Sequence, residues 1–276
     1  MSCDEIWKEK GVLGCVVQLA LNFGQSRWGV GAGFVVAGRK GPFVATAFHN
    51  LSGGVSVEER KAGAHPNPVQ IELYYEGREV AKFMPYVRQR SLFRMQDHPE
   101  EAGWCDVATL SLSALTEWKT KGEEGELFWS CPGIGADLES RDYALRDDMF
   151  LAAGRDALVF GYPGGREYFG DPIGVGCKIA SCGGREPQFL LCGPSSAGCS
   201  GAPVVARDFG GYWHKREGIL ERKSPHVPIV DQWLGLYSGR LETVGSPAER
   251  DSTQIGVVWS AQSVQMVASA GTRDSI

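Results

Sequence analysis

Short apolar and β-branched runs recur along most of this chain, each of strand length and each bounded by glycine or proline. They are GCVVQLAL, GAGFVVAG, PFVATAF, VQIELYY and DVATLSL, then DALVFGYP, GVGCKIASC, PQFLLCG, GAPVVA, WLGLYSG and QIGVVWS. The breaks between them carry turn chemistry, so the pattern points to an all-β barrel or sandwich. The 37 glycines and 14 prolines also point to many turns and short strands. Only SAQSVQMVASA, near the end, reads as a capped helix.

The runs fall into two sets. Residues 113–154, which include TEWKTKGEEGELFWS and LESRDYALRDD, are more polar and read as a connector with a short helix. The chain divides into a first lobe, 1–112, the connector, 113–154, and a second lobe, 155–276. At 276 residues, 43% hydrophobic and 22% charged, it has ample material to bury a core in both lobes.

A net charge of −5 gives no electrostatic reason to expect nucleic acid or an anionic membrane as partner. The apolar run GVLGCVVQLAL is too short to span a bilayer and follows MSCDEIWKEK, which mixes acids with lysines. It reads as a strand rather than a signal peptide, and the expected location is the cytoplasm. The eight cysteines are then reduced thiols. Cys177, Cys182 and Cys192 are too unevenly spaced for a zinc knuckle, so no metal is expected.

The stretch GPSSAGCSGAPVV, residues 193–205, sets Ser200 among small residues. A serine hydroxyl becomes a strong nucleophile only when a positioned base removes its proton, and that base is usually a histidine oriented by a carboxylate. Of the five histidines, His65 and His98 sit in polar loops, and His214 and His226 lie in the charged insertion RDFGGYWHKREGILERKSPHVP. His49 differs, because it ends FVATAFHNL, where a strand runs into a turn. Asp106 opens the apolar strand in WCDVATLSL. Taken singly, each has a structural explanation: a Gly-rich turn, a hydrogen-bonded histidine, a capping aspartate. Together they spread over both strand sets, as a cleft between two lobes requires.

Four motifs carry a family resemblance: GAGFVVAGRKGPFVATAFHNL, DVATLSL, VFGYPGG and GCSGAPVV, with WLGLYSGR following. The chain resembles trypsin-like serine peptidases of the chymotrypsin fold, nearest in style to bacterial HtrA-like and glutamyl-endopeptidase-like members, over roughly residues 12 to 270. That resemblance implies two six-stranded antiparallel β-barrels packed face to face, with a short C-terminal helix. It implies an intracellular endopeptidase in which Ser200 attacks a peptide carbonyl, His49 takes and returns the proton, and Asp106 fixes the ring. The amides of Gly198 and Ser200 would form the oxyanion hole, with Gly201 keeping the turn free of a Cβ, and no cofactor is needed.

The resemblance also bears on specificity and control. Relatives that cut after Lys or Arg carry an acid six residues before the nucleophile, where this chain has Pro194. The walls of the site for a protein or peptide substrate would be Pro194, Ser195, Ser196, Tyr237, Ser238, Gly239 and Arg240, with Arg240 at a solvated rim. Cys199 stands where secreted trypsins have an aspartate that pairs with a new N-terminus. It is out of register to be the nucleophile, because Ala197 would then replace the oxyanion glycine. Without that ion pair the loop is ordered by local packing or by a substrate or partner, and its run of small residues favours an activating partner protein. Two other readings of the chain are a catalytically silent module binding through the same cleft and an interaction protein recruiting partners through its insertion.

Overall fold

The computed structural model describes residues 11–24, 28–36, 41–53, 68–87, 90–95, 105–112, 152–165, 170–181, 187–194, 196–209, 212–217, 219–223, 229–240 and 254–275. Most of the connector, His65, His98, His226, Ser195, Cys3, Cys131 and Cys182 lie outside them.

After a 3-10 turn at Gly11–Cys15, the first lobe is built from β1 (Val16–Asn22), β2 (Trp28–Val36), β3 (Phe43–Thr46), β4 (Gln70–Tyr75), β5 (Arg78–Phe83), β6 (Tyr86–Val87), β7 (Arg90–Met95) and β8 (Ala108–Ser111). In β1 the alternation of VVQLALN sends Val17, Leu19 and Leu21 into the lobe's own core, while Gln18, Ala20 and Asn22 stay half-buried. β2 from Gly31 onward and all of β3 are covered on both faces. Val35 and Val44 join that first core, whereas Phe34, Val36, Phe43 and Ala45 enter a second core shared with the other lobe. This double burial explains why GFVV and FVAT read as continuous apolar runs.

The second lobe contains β9 (Asp156–Gly161), β10 (Ile173–Ile179), β11 (Gln188–Cys192), β12 (Pro203–Phe209), β13 (Tyr212–Arg216), β14 (Ile219–Lys223), β15 (Ile229–Arg240) and β16 (Ile255–Ser260). Six of these close into an antiparallel barrel in the order β10-β11-β16-β15-β12-β9. β13 and β14 pair as a separate two-stranded ribbon inside the insertion, with His214 on β13.

A helix, Ala261–Ala270, follows β16, with the Ser260 hydroxyl accepting from the Ser263 amide at its N-cap. Val264 and Val267 bury its inner face in the shared core. The chain then returns to the first lobe, where β17 (Thr272–Ser275) pairs antiparallel with β7.

The fold is all-β apart from short helices, in two lobes as expected, but the lobes are unequal. The second is a closed six-stranded barrel, whereas the first is a curled nine-stranded sheet in the order β17-β7-β8-β3-β2-β1-β4-β5, with β6 paired to β7. Phe34 of the first lobe meets Trp233 of the second edge to face, ring centroids 5.5 Å apart. Among the described residues no helix is long and apolar enough to cross a membrane.

Candidate active site

The strand β3 ends at Thr46, and the chain makes one helical turn, Phe48–Ser52. Ala47 is extended at its N-cap, and Gly53, at φ 63°, closes it in the left-handed conformation that glycine adopts without strain. His49 therefore sits on a short helix rather than in a turn. Asp106, just before β8, takes four donors. Its Oδ1 accepts from the His49 amide at 2.8 Å, its Oδ2 faces His49 Nδ1 at 2.7 Å, and its main-chain carbonyl accepts from the Phe48 amide at 3.3 Å. The hydroxyl of Ser238 also donates to Oδ2.

Burial lowers the pKa of His49, but the charge of Asp106 and the hydrogen bond to it together outweigh that, and the net shift is upward from the ordinary imidazole value. With Nδ1–H donated to the carboxylate, the neutral ring carries its lone pair on Nε2. The two side chains are 38% and 22% exposed, so the pair reaches solvent.

The loop around Ser200 consists of two successive turns. The Cys199 amide donates to Ser196 at 3.2 Å, and the Ala202 amide donates to Cys199 at 2.9 Å. Each turn has its third residue at positive φ: Gly198 at 93° and Gly201 at 87°. A Cβ on Gly198 would lie 2.0 Å from the Tyr162 carbonyl oxygen, and one on Gly201 would lie 2.1 Å from that of Ala32. The Gly-Cys-Ser-Gly spacing is thus the spacing of the two turns, with Ser200 between them. The loop is also held from outside: Gly164 N donates to Ala197 at 2.6 Å, Tyr162 N to Gly198 at 3.2 Å, and Gly201 N to Tyr237 at 2.7 Å. Among the described residues the amides of Gly198 and Ser200 donate to no protein acceptor.

Ser200 is tied to the first lobe, which carries His49, through its main chain. Its carbonyl accepts from the Ala32 amide at 2.8 Å and from Asn50 Nδ2 at 2.9 Å. Among the described residues its hydroxyl makes no hydrogen bond to the His49 ring.

Cys199 is fully buried in the shared core. Burial pushes its thiol pKa up, against smaller opposing effects of hydrogen bonds to Ser196. Burial and the neighbouring Asp106 charge push Cys105 up to about 12, and burial pushes Cys177 up to about 11. All three are neutral thiols, poor nucleophiles at neutral pH. Among the described residues Cys105, Cys177, Cys192 and Cys199 form no disulfide.

Of the expected substrate-side residues, Pro194 and Ser196 are exposed, Gly239 is half-buried, and Arg240 is exposed at the end of β15. Tyr237 is buried, its ring packed where a Cβ of Gly256 would otherwise lie. Ser238 lies in a bulge of the β15–β16 pairing and turns its hydroxyl to Asp106. Its link to the carboxylate and the part played by Asn50 escaped the sequence reading. The available signal was a polar residue, Asn50, set among apolar neighbours in FHNL.

The fold is that of trypsin-like serine proteases. The chain is similar to the Rv3671c protease from M. tuberculosis in its active form, at 16% identity over 100% of this chain and 91% of that one, with a TM-score of 0.50. It is also similar to the serine endoprotease from Yersinia pestis, at 13% identity over 95% of this chain and 63% of that one, with the same TM-score of 0.50. At such identities the likeness establishes the fold. No protein-family model and no curated protein sequence matches this chain.

Proposed function

We propose that the chain is a serine endopeptidase that cleaves protein or peptide substrates through an acyl-enzyme. The observation that carries this reading is the convergence of Asp106 and Ser200 on one five-residue helix. Asp106 holds the His49 ring and amide, and Ser200 is bonded to the next residue, Asn50.

In this reading Ser200 Oγ attacks the scissile carbonyl as His49 Nε2 takes its proton. The imidazolium, stabilised by Asp106, then protonates the leaving amine, and a water repeats the sequence to release the acid. The hydroxyl and ring come within bonding reach when substrate binds, since such bonds are often long in unliganded enzymes. The amides of Gly198 and Ser200 stabilise the oxyanion, each donor contributing on the order of 2.7–4 kcal/mol to the transition state. The pairing of β12 with β15 ends at Pro203 and Leu236, and Tyr237 then exchanges main-chain bonds with Gly201 and Ala202. In this reading Ser238 and Gly239, which follow, lie along an extended substrate. The hydrogen bonds of Ala197, Gly198 and Cys199 support a loop formed by local packing rather than by an activating partner protein.

Incubation with a peptide library, read by mass spectrometry, tests the proposal. The purified chain should generate new termini that Ser200→Ala and His49→Ala do not. Equal cleavage by the Ser200→Ala chain would contradict it.

A further inference from the structure

We infer that Asn50 is a positioning residue for the nucleophile: its side-chain amide sets where Ser200 sits relative to His49. The inference rests on the reading of Ser200 as nucleophile, but the geometry behind it is independent of that reading.

Asn50 is 7% exposed, and both hydrogens of its amide nitrogen are used. One goes to the Ser200 carbonyl at 2.9 Å and the other to Thr46 Oγ1 at 3.1 Å. The Thr46 hydroxyl donates to the Ala32 carbonyl at 2.7 Å, so its lone pairs are left to accept from Asn50. The Ala32 amide completes the circuit by donating to the Ser200 carbonyl at 2.8 Å. The four residues form a closed ring of hydrogen bonds whose donor directions are all fixed, because a carbonyl can only accept. That direction keeps the nitrogen of the Asn50 amide, not its oxygen, turned toward Ser200.

Two glycines leave room for the ring. A Cβ on Gly31 would lie 2.4 Å from Asn50 Nδ2, and one on Gly201 would lie 2.5 Å from Thr46 Oγ1. The Ala32 amide satisfies one lone pair of the Ser200 carbonyl and Tyr237 holds the Gly201 amide of the same peptide, but neither bond ties that peptide to the helix that carries His49. The second donor comes from the residue next to His49, so the nucleophile's main chain and the base move as one body. No chemical step of the proposed reaction uses Asn50, which leaves registration as its contribution.

Asn50→Leu keeps the volume and removes both donors. A displacement near 1 Å costs about 100-fold in rate, so acylation by a fluorophosphonate, measured per folded molecule, should slow by about 10- to 100-fold. The pH midpoint should not move, because Asp106 and Ser238 are untouched. Thr46→Val, which removes the acceptor orienting Asn50 but keeps its bond to Ser200, should fall between wild type and Asn50→Leu. In hydrogen exchange of the Asn50→Leu chain the Ala32 amide should exchange faster, while the His49 amide, held by Asp106, should not. An unchanged acylation rate per folded molecule, whatever the change in Tm, would overturn the inference. If the wild-type chain never labels at Ser200, the protease reading fails. Faster Ala32 exchange in Asn50→Leu would then still uphold the link between Asn50 and Ser200, and unchanged exchange would overturn it.

Discussion

Ser238 and His49 share one oxygen. The Ser238 hydroxyl donates to Asp106 Oδ2, which also faces His49 Nδ1 at 2.7 Å, so a residue of the second lobe holds the carboxylate that faces the His49 ring in the first. Ser238→Ala removes a bond to a charged acceptor, of a kind that contributes about 1.5–3 kcal/mol. The expected result is a fall in kcat of about tenfold with KM little changed, because the His49 amide and ring still hold Asp106. Ser238→Thr should retain most activity. Steady-state kinetics on the two variants check this, and equal losses in both would point to a packing defect.

Cleavage should rise with pH through a midpoint above the ordinary imidazole value of about 6.5, because Asp106 raises the pKa of His49 in the folded chain. Stability runs the other way. A raised folded pKa makes the protonated pair stabilising in full below the unfolded value, and that contribution disappears as pH rises through the folded value. Activity should therefore appear over the window in which this contribution is lost. Asp106→Asn should lower the midpoint and the maximal rate together. A wild-type midpoint below that of free imidazole would show that burial, not the carboxylate, dominates.

Gly201→Ala should be both destabilised and inactive. Its φ of 87° disfavours any side chain, and a Cβ would lie 2.1 Å from the Ala32 carbonyl oxygen, so the turn must shift. Backbone strain and overpacking together cost roughly 2–5 kcal/mol, a drop in Tm of about 5–15 °C. Gly176→Ala is the control, since a Cβ there meets nothing within 4 Å. Differential scanning calorimetry on both variants measures the contrast.

Among the described thiols only Cys192 is exposed, while Cys105, Cys177 and Cys199 are buried with their pKa values raised. Brief iodoacetamide treatment of the native chain should therefore alkylate Cys192 and spare those three. It should leave serine labelling intact. Alkylation of Cys199 that tracks loss of activity would restore the thiol as a candidate nucleophile.

The strands that frame the site were legible because their apolar runs are bounded by turn residues, and GCVVQLAL, DALVFGYP and QIGVVWS each became one. β5 and β7 were not, because REVAKF and RSLFRM mix charge into short strands and lack an apolar run. β17 was hidden for a different reason: TRDS has no strand pattern, and its pairing with β7 arises only when the C-terminal helix carries the chain back to the first lobe. His49, Asp106 and Ser200 stood out because their chemistry needs particular side chains. Asn50 and Thr46 did not: Thr46 bonds to Ala32 across paired strands of the first lobe, and the Asn50 bond to Ser200 depends on how two lobes meet, which no spacing in sequence records.

The central claim is that Ser200 is an activated nucleophile, and fluorophosphonate labelling with mass-spectrometric mapping tests it most directly. The purified chain, with no added protein, should be modified stoichiometrically at Ser200, and His49→Ala should label far more slowly. Labelling confined to other residues, or equally fast in His49→Ala, would contradict it.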